Sequence, residues 1–182
     1  MTPDLTALAV ETHTQNVAAG WWDDWTVKTD RHETAMMLVV SEIAEAMEGD
    51  RKDLMDDHLP EFKAFDVELA DAMIRLLDLA GAYEMFLDNV PKQVDIEKRR
   101  WKNIIPWSNL KVPEQLYRIV QKMSAIRDEP HQNVFQGIVS IMTVAELNRV
   151  DLWKLVELKR AYNRKRADHK RENRAANGGK SY

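Results

Sequence analysis

The chain has 182 residues, 45% of them apolar and 31% charged, a balance that fits one globular domain with a substantial core rather than a disordered chain. It contains no cysteine, which excludes disulfides and thiolate metal sites, and no apolar run approaches the roughly 18 residues of a membrane span or forms a leader after Met1, so a cytoplasmic protein is expected. The net charge of −4 is uneven: Lys159 to Tyr182 carries nine Lys or Arg against two acids, +7, leaving seventeen against twenty-eight, −11, for the rest.

With six Gly, six Pro and no run of alternating β-branched residues, the pattern predicts an all-α chain. A first helix is expected from about Asp4 to Ala19, stopped by Gly20. The aromatic segment Trp21-Trp22-Asp23-Asp24-Trp25 follows, then Asp30-Arg31-His32-Glu33, an acid with Glu three residues later in the form of a capping box. A second helix is therefore expected over 31–48, ended by Gly49-Asp50. A polar connection from Arg51 to Pro60 leads to a third, expected to begin at about Glu61 with Pro60 before its first turn and to run to about Ala82. Asn89 to Val112 reads as a less regular connector, because Lys98-Arg99-Arg100, Pro106 and Pro113 interrupt any apolar period; Trp101 and Trp107 are read as packing residues. Two further helices, over about 114–127 and 132–147 with Pro130 between them, precede a last helix from near Asp151 past Arg166. The domain organisation expected is one unit over 1–182, with an added helical segment at about 89–150 and a basic tail at about 171–182.

The chemistry is concentrated in two acid pairs of the same shape, Glu42-Ile43-Ala44-Glu45 and Glu68-Leu69-Ala70-Asp71. An i, i+3 spacing puts both acids of a pair on one helical face, so two such helices packed together gather four carboxylates. Single pairs of this kind also decorate ordinary solvated helices. Here both lie in largely apolar helices, one after Met36-Met37-Leu38-Val39-Val40 and the other between Phe62, Phe65, Val67 and Met73, Ile74, Leu76, Leu77. Two unit charges about 5 Å apart repel by roughly 3 kcal/mol at an effective dielectric of about 20, and a bound cation or protonation relieves this. An all-carboxylate set suits Mg²⁺ or Mn²⁺ and disfavours zinc or copper. Glu45 is either the general base that takes a proton from an attacking water or a further metal ligand. Arg75 and Asp78 continue the Glu68 and Asp71 stripe at i+7 and i+10, where they either orient the metal ligands or form a surface ion pair.

On the last helix Lys159, Asn163 and Arg166 fall at i, i+4 and i+7, so one face offers an ammonium, an amide and a guanidinium to a phosphate chain; the alternative is a solvated basic face. Asn16 with the indoles of Trp21 and Trp22 can form a nucleobase pocket, an amide for a base edge and flat apolar faces for stacking, although either Trp can instead anchor the core. Trp25 is the weakest candidate of the aromatic group.

These residues together resemble the MazG-like all-α nucleoside triphosphate pyrophosphohydrolases, in particular compact phage-encoded members. The family's Glu-x-x-Glu and Glu-x-x-Asp metal motifs are matched by Glu42, Glu45, Glu68 and Asp71, with 22 residues between Glu45 and Glu68. Asn16 through Trp22, Glu45-Ala46-Met47-Glu48 with Arg51-Lys52, and Lys159, Asn163 and Arg166 are similar as well, whereas 89–150 is largely unmatched. The resemblance implies a helical bundle completed by oligomerisation, as a homodimer or a dimer of dimers. It also implies two or more Mg²⁺ ions per site, with Mn²⁺ able to substitute, and a nucleoside triphosphate substrate cleaved to monophosphate and pyrophosphate. Deoxyguanosine triphosphate is favoured among substrates, neither membrane nor nucleic-acid partners are expected, and the setting would be host cytoplasm if the protein is phage-encoded.

Two rival classes make different demands. A di-iron carboxylate bundle needs Glu-x-x-His motifs, and no glutamate of this chain has His three residues later. A nucleic-acid-binding or scaffold protein would use the basic C-terminus alone, with salt-sensitive oligonucleotide binding and no Mg²⁺ requirement.

Overall fold

A computed structural model describes residues 1–23, 32–102, 109–125 and 129–166, and these form seven α-helices with no named strand among them. In chain order they are α1 Leu5–Ala18, α2 His32–Lys52, α3 Ala64–Ala82, α4 Val90–Lys102, α5 Val112–Met123, α6 Pro130–Leu147 and α7 Leu152–Asn163. The all-α expectation holds. Trp25, Asp30, Arg31, Pro106, Trp107 and the basic tail lie outside the described residues.

The first helix matches its expected span because its end signals are local. Asp4 accepts a hydrogen bond from the Ala7 N–H at 3.0 Å, and Gly20 takes up φ 83° just past the end. The second does not stop at Gly49. It continues to Lys52 and is left through Asp53, whose φ is 53°. Gly49 serves contact instead: a Cβ there would stand 2.8 Å from Ala64 Cβ and 2.9 Å from the Phe65 nitrogen, so the missing side chain lets α2 touch the start of α3.

Residues 54–63 form a tight turn rather than the first turn of a helix. Asp56 Oδ1 accepts the N–H groups of His58 at 3.0 Å and Leu59 at 2.6 Å, and the Asp56 N–H bonds to the Phe62 carbonyl at 3.0 Å. Pro60 therefore sits inside a turn closed by the Met55 and Lys63 bridge, and α3 starts at Ala64, three residues later than the sequence suggested.

The rest of the molecule is built around α3. It packs against α1, α2, α6 and α7, and between Val67 and Ala82 only Glu68, Asp71, Arg75 and Asp78 escape full burial. Leu69, Met73, Leu76 and Leu77 join Val39 of α2, Ile138 and Ile141 of α6 and Leu155 of α7 in the core. At Gly81 the backbone of α1 passes so close that a Cβ would lie 2.6 Å from His13 Cβ and nearer still to the Ala9 carbonyl. An added methyl would push α1 off α3.

The supposed connector contains α4, whose buried Val90, Val94 and Glu97 recur at i, i+4 and i+7. Lys122 of α5 lies 3.4 Å from Glu97, which compensates its buried charge. Pro113 occupies the first turn of α5, and Pro130 is the first residue of α6 rather than a separator. The last helix ends at Asn163, short of Arg166. No described helix is long and apolar enough to cross a membrane.

Candidate functional site

The polar stripe of α3 forms one wall of a cavity of about 460 Å³, and all ten residues singled out above for metal, phosphate and base binding line it. Glu42, Glu68 and Asp71 converge most closely: each offers a carboxylate oxygen, and these oxygens lie within 4.8 Å of one another. Glu45 lines the same cavity but is not a member of that cluster. The reason is helical geometry. Residues three apart are rotated by about 60°, so Glu42 is turned in toward α3 with the buried Val39, Ile43 and Ala46, whereas Glu45 is exposed.

Two cations are built into the acid cluster. Arg75 Nε and Nη2 each lie 2.6 Å from Glu42 Oε1, so Arg75 does orient a candidate ligand. Lys159 Nζ lies 2.8 Å from Asp71 Oδ2 and 3.8 Å from Asp56 Oδ2. Lys159 and Asp56 are 3% and 5% exposed, so this ammonium is committed to a buried ion-pair chain rather than standing free on a basic face. Burial disfavours the charged lysine, but the Asp71, Asp56 and Glu68 carboxylates outweigh it and hold its pKa above the ordinary value.

The acids remain under-compensated. Glu68 is pushed up to about 9 by burial first, then by the Asp71 and Glu42 charges. Burial also raises Asp71, to about 6, against the pull of Lys159 and with Glu42 adding to the rise. Near neutral pH Glu68 therefore holds a proton that a divalent cation would replace. Three converging carboxylate oxygens with no sulfur or imidazole among them fit Mg²⁺ or Mn²⁺.

Facing the acids is α7 with the turn after it. Lys159, Arg160, Asn163, Arg164 and Arg166 all line the cavity. Arg160 reaches Gln15 Oε1 at 3.0 Å and Glu11 at 2.9 Å, which ties α7 to α1. Two buried polar atoms here, Arg160 Nε and Asn163 Oδ1, have no hydrogen-bond partner among the described residues. Unpaired buried groups on a cavity wall are what a polar ligand would satisfy. Tyr162 packs against His58, ring centroids 4.8 Å apart, and the Arg166 guanidinium lies 5.8 Å from the Tyr162 ring.

At the other end of the stripe Asp78 has a different role from Arg75. It accepts hydrogen bonds from His13, Asn16 and Trp22, so it is tied to Asn16 and Trp22, two of the residues expected to bind a base. Trp22 also packs against the core, and Trp21 lines the cavity as well.

Sequence reasoning missed Asp56, Arg160 and His13. Asp56 reads as a turn residue, and its proximity to Lys159 joins positions 103 apart in the chain. Arg160 is masked by the basic run around it. His13 pairs with Asp78 across 65 residues. No family model, curated protein or solved structure matches the chain significantly.

Proposed function

We propose that the chain is a Mg²⁺-dependent nucleoside triphosphate pyrophosphohydrolase of the MazG-like kind. One observation carries the reading: a triad of carboxylate oxygens within 4.8 Å of one another shares a cavity of about 460 Å³ with a cationic wall bearing Arg160, Asn163, Arg164 and Arg166. That volume lies within the range of small-molecule sites. Acids opposite cations in one recess suit a metal-bound polyphosphate better than a nucleic-acid strand, which the acids would repel.

When bound, Mg²⁺ neutralises phosphate oxygens and acidifies a water. Glu42, Glu68 and Asp71 would hold it, Arg75 and Lys159 fix the orientation of Glu42 and Asp71, and Arg166 with Asn163 would bind the phosphate chain. Glu45, an exposed residue lining the same cavity, accepts the proton as the water oxygen bonds to the α-phosphorus. The bond between the α-phosphorus and the bridging oxygen breaks, and pyrophosphate leaves. Monophosphate and pyrophosphate are thus expected in equal amounts, only with Mg²⁺ or Mn²⁺ present. Chromatography of a single-turnover reaction across the common nucleoside triphosphates tests this and the expected deoxyguanosine preference together; a diphosphate with orthophosphate, or full activity in chelator, would overturn it.

Assembly belongs to the same reading. On α2, Met37 is 63% and Met47 40% exposed, and with Ala44 they lie at i, i+10 and i+7 on one face. A second copy covering this stripe would bury it beside Glu45. Light scattering is expected to give at least twice the 21.1 kDa of one chain; a monomer fully active at nanomolar concentration would remove the assembly claim.

A further inference from the structure

One carboxylate organises the base end of the cavity. Asp78 Oδ1 lies 2.8 Å from His13 Nδ1, Asp78 Oδ2 accepts from Asn16 Nδ2 at 2.8 Å, and Trp22 Nε1 donates between the two oxygens at 3.1 and 3.2 Å. The Asp78 side chain is 15% exposed, and the His13 ring meets Trp22 edge-on with centroids 4.7 Å apart. An ionised carboxylate has no proton to give, so His13 must carry its proton on Nδ1 and Asn16 must face Asp78 with nitrogen.

A free asparagine amide is ambidextrous, because a half-turn about its last bond exchanges oxygen and nitrogen. Asn16 has lost that freedom. A flip would break a charge-assisted bond and set two oxygens against each other. Asn16 lines the cavity with its nitrogen held on Asp78, so its carbonyl and remaining N–H are available there in one fixed order.

On the reading that this cavity takes a nucleoside triphosphate, we propose that Asp78 is the positioning residue of base selection: by locking the Asn16 amide it makes the site distinguish amino bases from oxo bases. Adenine presents an amino donor beside a ring acceptor, whereas guanine presents a carbonyl acceptor beside a ring N–H, and cytosine and thymine are opposed in the same way. A fixed amide pairs with one member of each couple. An amide free to flip accommodates both.

The experiment compares specificity constants for dATP against dGTP and dCTP against dTTP in the wild type, Asp78→Asn, Asn16→Ala and the double variant. Titration of tryptophan fluorescence with the α,β-methylene analogues of dATP and dGTP gives a second readout independent of turnover. The wild type is expected to separate the two purines by at least about tenfold, and Asp78→Asn to bring that ratio within about threefold by gaining on the disfavoured purine relative to the favoured one. The double variant should match Asn16→Ala, since Asp78 acts through Asn16. A purely structural Asp78 would lower both purines together and leave the ratio intact, which overturns the proposal, as do additive effects in the double variant or a wild type indifferent to base. If Asp78→Asn does not fold, Asp78→Glu, which keeps the charge and moves the acceptor by one methylene, is judged by the same ratio. A wild type that neither turns over triphosphates nor binds the analogues overturns the nucleotide reading itself; turnover with unchanged ratios overturns only the role of Asp78.

Discussion

Replacing Lys159 with alanine is expected to destabilise the metal-free protein by about 3–5 kcal/mol, the usual consequence of removing one partner from a buried ion pair. The ammonium lies 2.8 Å from Asp71 and 3.8 Å from Asp56, and its loss leaves the partly buried Asp71 and the buried Asp56 carboxylates without it. Protonating Asp71 offsets part of the loss, so the deficit should be smaller at pH 5.5 than at pH 8. Urea unfolding at the two pH values with chelator present reads both quantities. Mg²⁺ should recover part of the stability at pH 8, because a divalent ion can stand in for the missing charge, while activity stays low. A loss below about 1 kcal/mol at both pH values would mean that Lys159 sits in a solvated surface pair, whose typical worth this is.

The second large effect is that metal-free protein should lose stability as pH rises. Glu68 and Asp71 have pKa values raised to about 9 and about 6, above their ordinary 4.5 and 3.8, so over these windows the folded state binds more protons than the unfolded one. Stability is then highest below the unfolded values and falls as pH climbs through the folded ones, by at most about 1.4 kcal/mol per pH unit for each proton. Near pH 7 Mg²⁺ uptake should release close to one proton, chiefly from Glu68, measurable by calorimetry in two buffers of different ionisation enthalpy. Glu68→Gln, which mimics the protonated acid, should flatten the stability profile above pH 6, abolish the proton release and reduce turnover on the order of a thousandfold. A stability profile that rises between pH 5 and 8, or proton release unchanged in the variant, would show that Glu68 is ionised in the metal-free site.

How far the sequence revealed this arrangement depends on how local each signal was. The α1 boundaries and the α3 stripe of Glu68, Asp71, Arg75 and Asp78 were readable, since caps and i, i+3 spacing act within a few residues. Gly49 misled because a glycine that ends a helix and one that admits a neighbouring helix look alike in sequence; only Ala64 at contact distance separates them. The fourth helix was hidden because its buried face includes only Val90, Val94 and Glu97 among the described side chains, and a buried acid breaks the apolar period. Within the candidate site, residue types and spacing pointed to every acid of the triad. They could not say that Glu45 stands outside the cluster, that Asp56 lies near Lys159, or that Asp78 bonds Asn16, because those facts depend on how separate helices are set against one another.

That α3 runs unbroken through the candidate site has a consequence for size selection on the proposed reading. Asp71 at the acid cluster and Asp78 at the base-side network are seven residues apart on one continuous helix, which at 1.5 Å per residue is a span of about 10 Å. If the proposed function holds, that helix would act as a ruler with Asp71 and Asp78 as its two marks. On the proposed reading a ligand gains from both marks only if its base and its scissile phosphate are held apart by a sugar of matching length. Inorganic triphosphate would then engage one mark and a free nucleoside the other, so chain length and base identity would be checked together along a single helix.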